Sequence, residues 1–140
     1  MPADVPADVP ADFVAPDVPN SFETLVGPIY EKVDDKGYVC GFRPGQAHTN
    51  RRGVVHGGML FTLADHALGN IVWERVGQQP CATVSLNVDY VAGVKLGDWV
   101  ECRGRVTRET RSLVFIKGEL SVGDRVVMTA TGVWKKLGAD

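Results

Sequence analysis

A glycine pair and an acid on the following segment are the parts of this sequence best suited to chemistry. Gly57 and Gly58 follow His56 and open a long apolar stretch. Glycine lets a ligand approach the backbone, and the first N–H groups of a helix have no partner within it. Such groups can hold a carbonyl oxygen as negative charge develops on it. The pair is equally compatible with a tight turn or close packing, and the two glycines alone do not decide.

The acid is Asp65, which stands among apolar residues such as Leu63 and Ala67. A short carboxylate is costly to bury in such surroundings unless it is hydrogen-bonded. Acids in unusual environments concentrate at functional sites, which favours a catalytic role. The alternative is a solvated flank of the helix, because Phe61, Asp65 and Gly69 fall on a different face from Leu63.

The histidines and cysteines do not form a recognisable metal or thiol site. They are His48, His56, His66, Cys40, Cys81 and Cys102. Neither set has metal-ligand spacing, so no metal is predicted. The cysteines lack a Cys-x-x-Cys pair, and reduced thiols are the simplest account. His66 points about 100° away from Asp65 on a helix, so the two should not form a dyad within one chain. Serine-elbow and dinucleotide-binding motifs are absent too.

Composition restricts the partners and the compartment. The 140-residue chain is 44% hydrophobic and 23% charged, with a net charge of -2, which suits one soluble domain and gives no field to recruit nucleic acid or anionic lipid. No apolar run approaches the roughly eighteen residues of a membrane span, and the N-terminus lacks a signal-like core. We therefore expect a cytoplasmic protein that binds neither nucleic acid nor membrane.

The chain divides into a tail and a domain. Residues 1–20 contain Pro-Ala-Asp-Val twice and then Pro-Ala-Asp-Phe, a proline-rich pattern that predicts a disordered, mobile tail. An alternative is that this tail docks on a partner or covers a site. Residues 21–140 form the predicted domain.

Within the domain, the periodicities predict one short helix, one long helix and six strands. A short capped helix begins near Asn20, and a hairpin turns at residues 34–37. Residues 57–76 have apolar positions at helical spacing, and Gly77 ends the helix. Four alternating segments follow, and residues 82–90 form the first of them, with one face expected to be buried. The pattern predicts an α+β domain in which a curved antiparallel β-sheet wraps around one long central helix.

The pattern Asn-x-x-Gly-x-x-His-Gly-Gly from Asn50 to Gly58, followed by an apolar helix carrying Asp65, resembles the hotdog-fold acyl-CoA thioesterases, in particular the phenylacetate-pathway type. The resemblance covers roughly residues 27–136 and leaves out the tail. It implies the hotdog fold and hydrolysis of a coenzyme A ester to a free acid and coenzyme A, with no cofactor beyond the substrate itself.

The resemblance also implies roles for individual residues. Asp65 would be the catalytic carboxylate, acting as general base on water or as nucleophile, and the Gly57 N–H would polarise the thioester carbonyl. His56 and Asn50 would position the loop or the substrate. In this family the acid and the glycine loop come from different subunits, which implies a homodimer with shared active sites, commonly paired into a homotetramer.

Further residues are expected to contact water or substrate. A hydroxyl that orients water would be Thr83, with Ser85 on the same strand face as second choice. Gly58 and Phe61 are expected at the substrate, and Phe61, Trp73 and Tyr90 are candidates to shape an aryl or medium-chain acyl pocket. The candidate bases for the coenzyme A phosphates are Arg51, Arg52, Arg108, Arg111, Lys135 and Lys136.

Two other functions are compatible with this fold. One is a non-catalytic acyl-CoA binding or sensing protein, which would bind the ester without releasing thiol. The other is a hydratase or dehydratase, which ranks last because the acid and histidine motif of such enzymes is missing. A chemical screen for thiol release separates the hydrolase from both.

Overall fold

The computed structural model describes residues 5–138 and contains the predicted series of a hairpin, a long helix and four strands. The elements are α1 Phe22–Val26, β1 Tyr30–Asp34, β2 Gly37–Phe42, a short 3-10 helix Gln46–His48, α2 Gly57–Arg75, β3 Cys81–Tyr90, β4 Val100–Glu109, β5 Leu113–Val122 and β6 Arg125–Lys136. Ser21 caps α1 by accepting a hydrogen bond from the Thr24 N–H, as the local sequence predicts.

All six strands form one antiparallel sheet in the order β1-β2-β4-β5-β6-β3. Helix α2 packs against five of them, β2 to β6, on one face of the sheet. The predicted α+β hotdog architecture is therefore confirmed. β1 and β3 are the two edges of the sheet.

The helix lies close to the centre of the sheet because two strand glycines make room for it. A side chain at Gly104 or Gly118 would begin 2.4 or 2.6 Å from Leu68 Cδ2. Leu63, Leu68 and the small residues between them are fully buried. The helix ends where Gly77 takes a positive φ of 72°, a conformation that glycine adopts without strain. The apolar period of residues 57–76 thus predicts both the helix and the face that it buries.

The prediction that β3 has one buried face is wrong within the single chain. None of its ten residues is buried, and Val84 is 58% exposed. The pairing of β3 with β6 shifts between Thr83 and Ser85, so Val84 forms a β-bulge. A bulge inserts one unpaired residue and reverses the alternation on either side of it. Thr83 therefore shares the helix-facing side with Leu86, whereas Ser85 lies on the opposite face.

The described part of the predicted tail, residues 5–20, contacts the domain, whereas residues 1–4 of the tail and the last two residues of the predicted domain lie outside the described residues. Phe13 is 2% exposed and packs with Tyr30, Val39 and Trp99. Val14 forms an antiparallel bridge with Glu31 of β1. Composition missed this contact because one aromatic side chain in a proline-rich segment is enough to anchor it when a matching groove exists.

In the part of the chain that the structure describes, no helix is both long enough and apolar enough to cross a membrane.

Candidate active site

The start of α2 presents one backbone N–H that no other group occupies. His56 is the N-cap, and its Nδ1 accepts a hydrogen bond of 2.8 Å from the Gly58 N–H. The His56 carbonyl accepts from the N–H groups of Met59 and Leu60. Within residues 5–138, no hydrogen bond uses the Gly57 N–H. The peptide that carries this donor is therefore fixed in orientation while its N–H points away from the helix.

The loop before the helix is held mainly by its own polar groups. Asn50 Oδ1 accepts from the Arg52 N–H at 2.9 Å, and the Asn50 N–H donates to the Val54 carbonyl at 2.8 Å. The His56 N–H donates to the His48 carbonyl at 2.8 Å. These contacts span short sequence separations, which is why the motif can be recognised in sequence. Asn50 and His56 both support the loop in the structure, as their predicted positioning roles require.

Tyr90 contacts the same helix start from strand β3. Its hydroxyl donates a hydrogen bond of 2.8 Å to the Gly57 carbonyl. Its ring lies so close that a Cβ on Gly57 would be 3.2 Å from two ring atoms. The sequence suggested Tyr90 only as a wall of the acyl pocket. The hydrogen bond to Gly57 had no signal in the sequence, because it joins residues 33 positions apart.

Asp65 is held by the hydroxyl group of Thr83, the residue that the family resemblance implied for orienting water. Thr83 Oγ1 donates a hydrogen bond of 2.8 Å to Asp65 Oδ1, so the carboxylate is oriented while Oδ2 remains for another partner. Asp65 is half-buried and lines a cleft of about 420 Å³ with Gly69, Trp73 and Trp134. His66, Asn70, Cys81 and Thr83 complete this lining. The carboxylate therefore faces a space that a substrate could enter.

Gly57 and Asp65 cannot serve one carbonyl group within a single chain. They stand eight residues apart on α2, a separation of about 12 Å at 1.5 Å per residue. A carbonyl must lie within about 3 Å of an oxyanion donor and equally close to the attacking group. Each chain therefore carries both halves of a site but cannot bring them to the same carbonyl group.

A sequence model of the thioesterase superfamily matches residues 52–130 of this chain, a span that includes the glycine pair, Asp65 and Thr83. The chain belongs to the thioesterase superfamily. Members hydrolyse thioesters, so the expectation that this protein is an enzyme, a thioester hydrolase, is confirmed.

Individual relatives agree with this membership. Candidate esterase PA0474 of Pseudomonas aeruginosa is 36% identical over 112 residues, which cover 79% of this chain and 84% of that protein. Acyl-coenzyme A thioesterase 13 of Homo sapiens is 29% identical over 104 residues, covering 72% and 73%. The phenylacetic acid degradation protein PaaI of Thermus thermophilus, in a variant structure, has a TM-score of 0.74 at 24% identity, covering 83% of this chain and 98% of that one. This last likeness shows the hotdog fold alone.

The structure of this thioesterase separates the predicted site residues into two groups. Thr83 lies at Asp65, and Phe61 is half-buried one helical turn before it. Ser85 is not at the site, because the bulge at Val84 turns it to the outer face of the sheet. Arg111 is exposed in the β4–β5 turn, which follows Glu109, and Glu109 contacts Arg75 at the opposite end of α2 from Gly57. The Gly58 N–H is occupied by His56, so it is not available to bind substrate.

The predicted bases for the coenzyme A phosphates also differ in their position relative to the start of α2. Arg51 and Arg52 border a surface pocket of about 520 Å³ together with Asn50 and His56, beside the start of α2. Lys136 instead donates to Glu109 Oε2 at 2.8 Å and to the Thr110 carbonyl. The interactions with Lys136 hold the pKa of the Glu109 carboxyl below its ordinary value. Only the two loop arginines combine a position near Gly57 with exposed side chains.

A polar network behind the cleft was not predicted. Asn70 Nδ2 donates to the Tyr38 hydroxyl at 2.9 Å, and that hydroxyl donates to Glu31 Oε2 at 2.6 Å. His66 lies 3.3 Å from Asn70 Nδ2. Burial raises the pKa of Tyr38 above its ordinary value and raises the pKa of the Cys40 thiol to about 12, so neither group is a nucleophile at neutral pH.

Among residues 5–138, no cluster of three or more histidine, cysteine or acidic side chains is placed to hold a metal ion.

Proposed function

We propose that this thioesterase hydrolyses coenzyme A thioesters at sites shared between two copies of the chain. Asp65 of one copy and the Gly57 N–H of the other would act on the same thioester carbonyl. The observation that carries this proposal is the separation of about 12 Å between the two groups on one helix. Each group is held in position by a residue of its own chain, Asp65 by Thr83 and Gly57 by Tyr90, and neither group can perform the reaction alone.

The surface needed for a second copy is present at the β3 edge. All ten residues of β3 are at least partly exposed, and the edge of β3 that faces away from β6 pairs with no other described strand. Unpaired edge strands are templates for pairing with another chain. Thr83 and Tyr90, which hold Asp65 and Gly57, lie at the two ends of this strand. A second copy on β3 would therefore approach both halves of the site.

The reaction follows from these groups. The Gly57 N–H binds the carbonyl oxygen as it becomes negative, and water adds to the carbonyl carbon while Asp65 accepts its proton. The carbon–sulfur bond then breaks, and the coenzyme A thiolate leaves and takes up a proton. In the second route, Asp65 itself attacks the carbonyl carbon and displaces the coenzyme A thiolate, which takes up a proton, and water then hydrolyses the resulting anhydride to the free acid and the Asp65 carboxylate. Single turnover in ¹⁸O-water separates them, because only the second route can leave the new oxygen on the enzyme carboxylate.

Substrate recognition would extend from Gly57 into the loop pocket. Arg51 and Arg52 are the groups best placed for the phosphates of coenzyme A, since guanidinium groups bind phosphate oxygens in pairs. The expected homotetramer and cytoplasmic location remain predictions, because the geometry of one chain bears on neither.

A proline at position 57 tests the oxyanion donor with little disturbance to the fold. Gly57 is the first helical residue, where proline is favoured, and His56 has an extended conformation, with φ −64° and ψ 132°, which proline requires of its predecessor. Gly57→Pro removes the N–H, whereas Gly57→Ala keeps it and adds a Cβ at a similar position. We expect thiol release to fall at least about a hundredfold in the proline variant and far less in the alanine variant.

Mixing two inactive variants tests the sharing of the site. Gly57→Pro retains Asp65, and Asp65→Asn retains the Gly57 N–H, so a mixed dimer has one intact site and one doubly damaged site. Random exchange should restore about a quarter of wild-type turnover, because half of the dimers are mixed. Failure to recover activity after confirmed subunit exchange would contradict the shared site. Binding without thiol release across a broad acyl-CoA panel would instead favour a non-catalytic acyl-CoA binder.

A further inference from the structure

The indole of Trp134 is buried but its N–H is left without a partner. Trp134 is 3% exposed, and no hydrogen bond to its Nε1 is present among residues 5–138. Trp99 provides the contrast, since its Nε1 donates to Glu101 Oε2 at 2.9 Å. The indole nitrogen itself is not fully buried, because it keeps contact with the open space of the cleft that Trp134 lines. Tryptophan N–H groups usually bind an acceptor, and a bound ligand can provide one here.

Gly69 leaves the space in front of this N–H open. A Cβ added at Gly69 would lie 3.4 Å from Trp134 Nε1, closer than to any other atom outside the helix backbone. Gly69 lies in the middle of α2 and does not have a positive φ. Glycine inside a helix is destabilising relative to alanine, and nothing in the backbone conformation calls for it here. The absence of a side chain at this position keeps the indole N–H accessible.

The accessible N–H belongs to the same cleft as the carboxylate. Gly69, Trp134 and Asp65 all line the cleft of about 420 Å³. Gly69 follows Asp65 by one helical turn, and residues at this spacing have side chains about 5–6 Å apart. A group bound at Asp65 could therefore extend along the helix and reach Trp134 within a few bonds.

We propose that Trp134 and Gly69 select acyl groups that carry an oxygen on the third carbon, so that the preferred substrates are 3-hydroxyacyl or 3-oxoacyl thioesters of coenzyme A. The inference rests on the proposed function, because it assumes that Asp65 acts at the thioester carbonyl. The indole can only donate, so its partner must be an acceptor, which both a hydroxyl and a keto oxygen provide. An oxygen on the second carbon would remain beside the carbonyl and Asp65. An oxygen on the third carbon lies nearer to the turn that carries Gly69.

Three esters of equal chain length test the selection. Thiol release by the full-length enzyme is measured with butyryl-CoA, 3-hydroxybutyryl-CoA and acetoacetyl-CoA. We expect kcat/KM for at least one oxygenated ester to exceed that for butyryl-CoA by about tenfold or more, the gain expected for one added hydrogen bond in the cleft. Equal or better hydrolysis of butyryl-CoA overturns the inference while leaving the proposed function intact. No thiol release from any acyl-CoA would refute the proposed function instead.

Gly69→Ala is the decisive variant because it should stabilise the helix while covering the N–H. We expect its melting temperature to be at or above that of the wild type, and its preference for the oxygenated ester to fall to about one. Trp134→Phe should lose the same preference, and Trp99→Phe, which removes an indole distant from the cleft, should retain it. A preference that survives in a folded Gly69→Ala enzyme rules out the role of Trp134.

Discussion

The two edges of the sheet differ in coverage: the N-terminal segment covers β1, whereas β3 is exposed. At the β1 edge, Val14 and Glu31 exchange hydrogen bonds of 3.0 and 2.7 Å, and Phe13 is buried beside the bridge. Its ring meets Trp99 at 5.1 Å in an edge-on geometry. At the β3 edge no segment among residues 5–138 adds a strand, and every residue of β3 is partly or fully exposed.

The difference lies in whether the chain itself covers the unpaired backbone groups of each edge strand. Proteins generally protect sheet edges against pairing with other chains, and the N-terminal segment does so for β1. No such protection covers β3, and both groups that hold the catalytic candidates, Thr83 and Tyr90, belong to that strand. The β1 edge, which the N-terminal segment covers, is called the closed edge, and the exposed β3 edge is called the open edge. The closed edge should therefore contribute to stability, whereas the open edge should contribute to assembly and catalysis. The predictions below test this division.

Changing the open edge should have the largest effect. Val84→Lys places a charge at the bulge of β3, where the side chain is 58% exposed in one chain. A lysine on an edge strand opposes pairing, and two copies would bring like charges together. We expect the proposed dimer to dissociate and thiol release to fall by about a hundredfold or more, because the two halves of the proposed site separate. Light scattering with size-exclusion chromatography, together with the thiol assay, measures both effects.

Val33→Lys is the matched control on the closed edge. Val33 of β1 is 76% exposed, so the same substitution adds the same charge to the other edge strand. It should leave mass and turnover close to wild type. A Val84→Lys enzyme that stays monomeric yet retains full activity would mean that the site does not depend on β3 pairing.

The hydroxyl at Asp65 should have the next largest effect. Thr83→Val keeps the shape of the side chain and removes the hydrogen bond of 2.8 Å to Asp65 Oδ1. A hydrogen bond to a charged group contributes about 1.5–3 kcal/mol, so kcat should fall by about 10- to 100-fold without loss of the dimer. Ser85→Ala, two positions along but on the outer face, should change kcat little. Equal losses in the two variants would contradict the bulge at Val84.

This pair of neighbours also shows what the sequence can and cannot predict. The loop motif, the helix and the candidate catalytic acid could be predicted because they depend on local patterns. The side chains of Asn50 and His56, for example, accept hydrogen bonds from N–H groups within four residues. The face of the sheet on which Ser85 lies could not be predicted. A bulge depends on the partner strand β6, and the alternation of residues in β3 does not indicate it. The buried Phe13 was missed for the same reason, because the groove that receives it is built from distant segments.

Truncating the anchor of the closed edge should affect stability and spare catalysis. Phe13 packs against Trp99, and Lys32 Nζ lies 4.6 Å from the ring centre. Phe13→Ala should lower the free energy of unfolding by about 3 kcal/mol, toward the low end for a buried phenylalanine because the cluster lies at the edge of the domain. Urea denaturation measures the loss, and kcat at a permissive temperature should stay near wild type. A large loss of kcat in the folded variant would show that the segment also supports the site.

Acid titration should reveal the smallest effect, which also concerns the closed edge. Asp34 at the end of β1 accepts two hydrogen bonds from Arg103 of β4, at 2.6 and 3.1 Å. These bonds are the main cause that lowers the Asp34 pKa from 3.8 to about 2. Because the pKa is lower in the folded state, the unfolded chain takes up the proton first as pH falls. The stabilisation is therefore complete above 3.8 and is lost as pH falls toward about 2.

The measurement for this last prediction is the urea midpoint at neutral pH and at about pH 3. The wild type should lose more stability between the two than Asp34→Asn, which has no carboxyl to protonate at that position. Because the pair is partly exposed, with side-chain exposures of 25% for Asp34 and 32% for Arg103, the difference should be modest and smaller at high salt. Identical acid dependence in the two proteins would mean that this pair does not hold the β1–β2 hairpin to the centre of the sheet, and that the closed edge depends on Phe13 and its bridge alone.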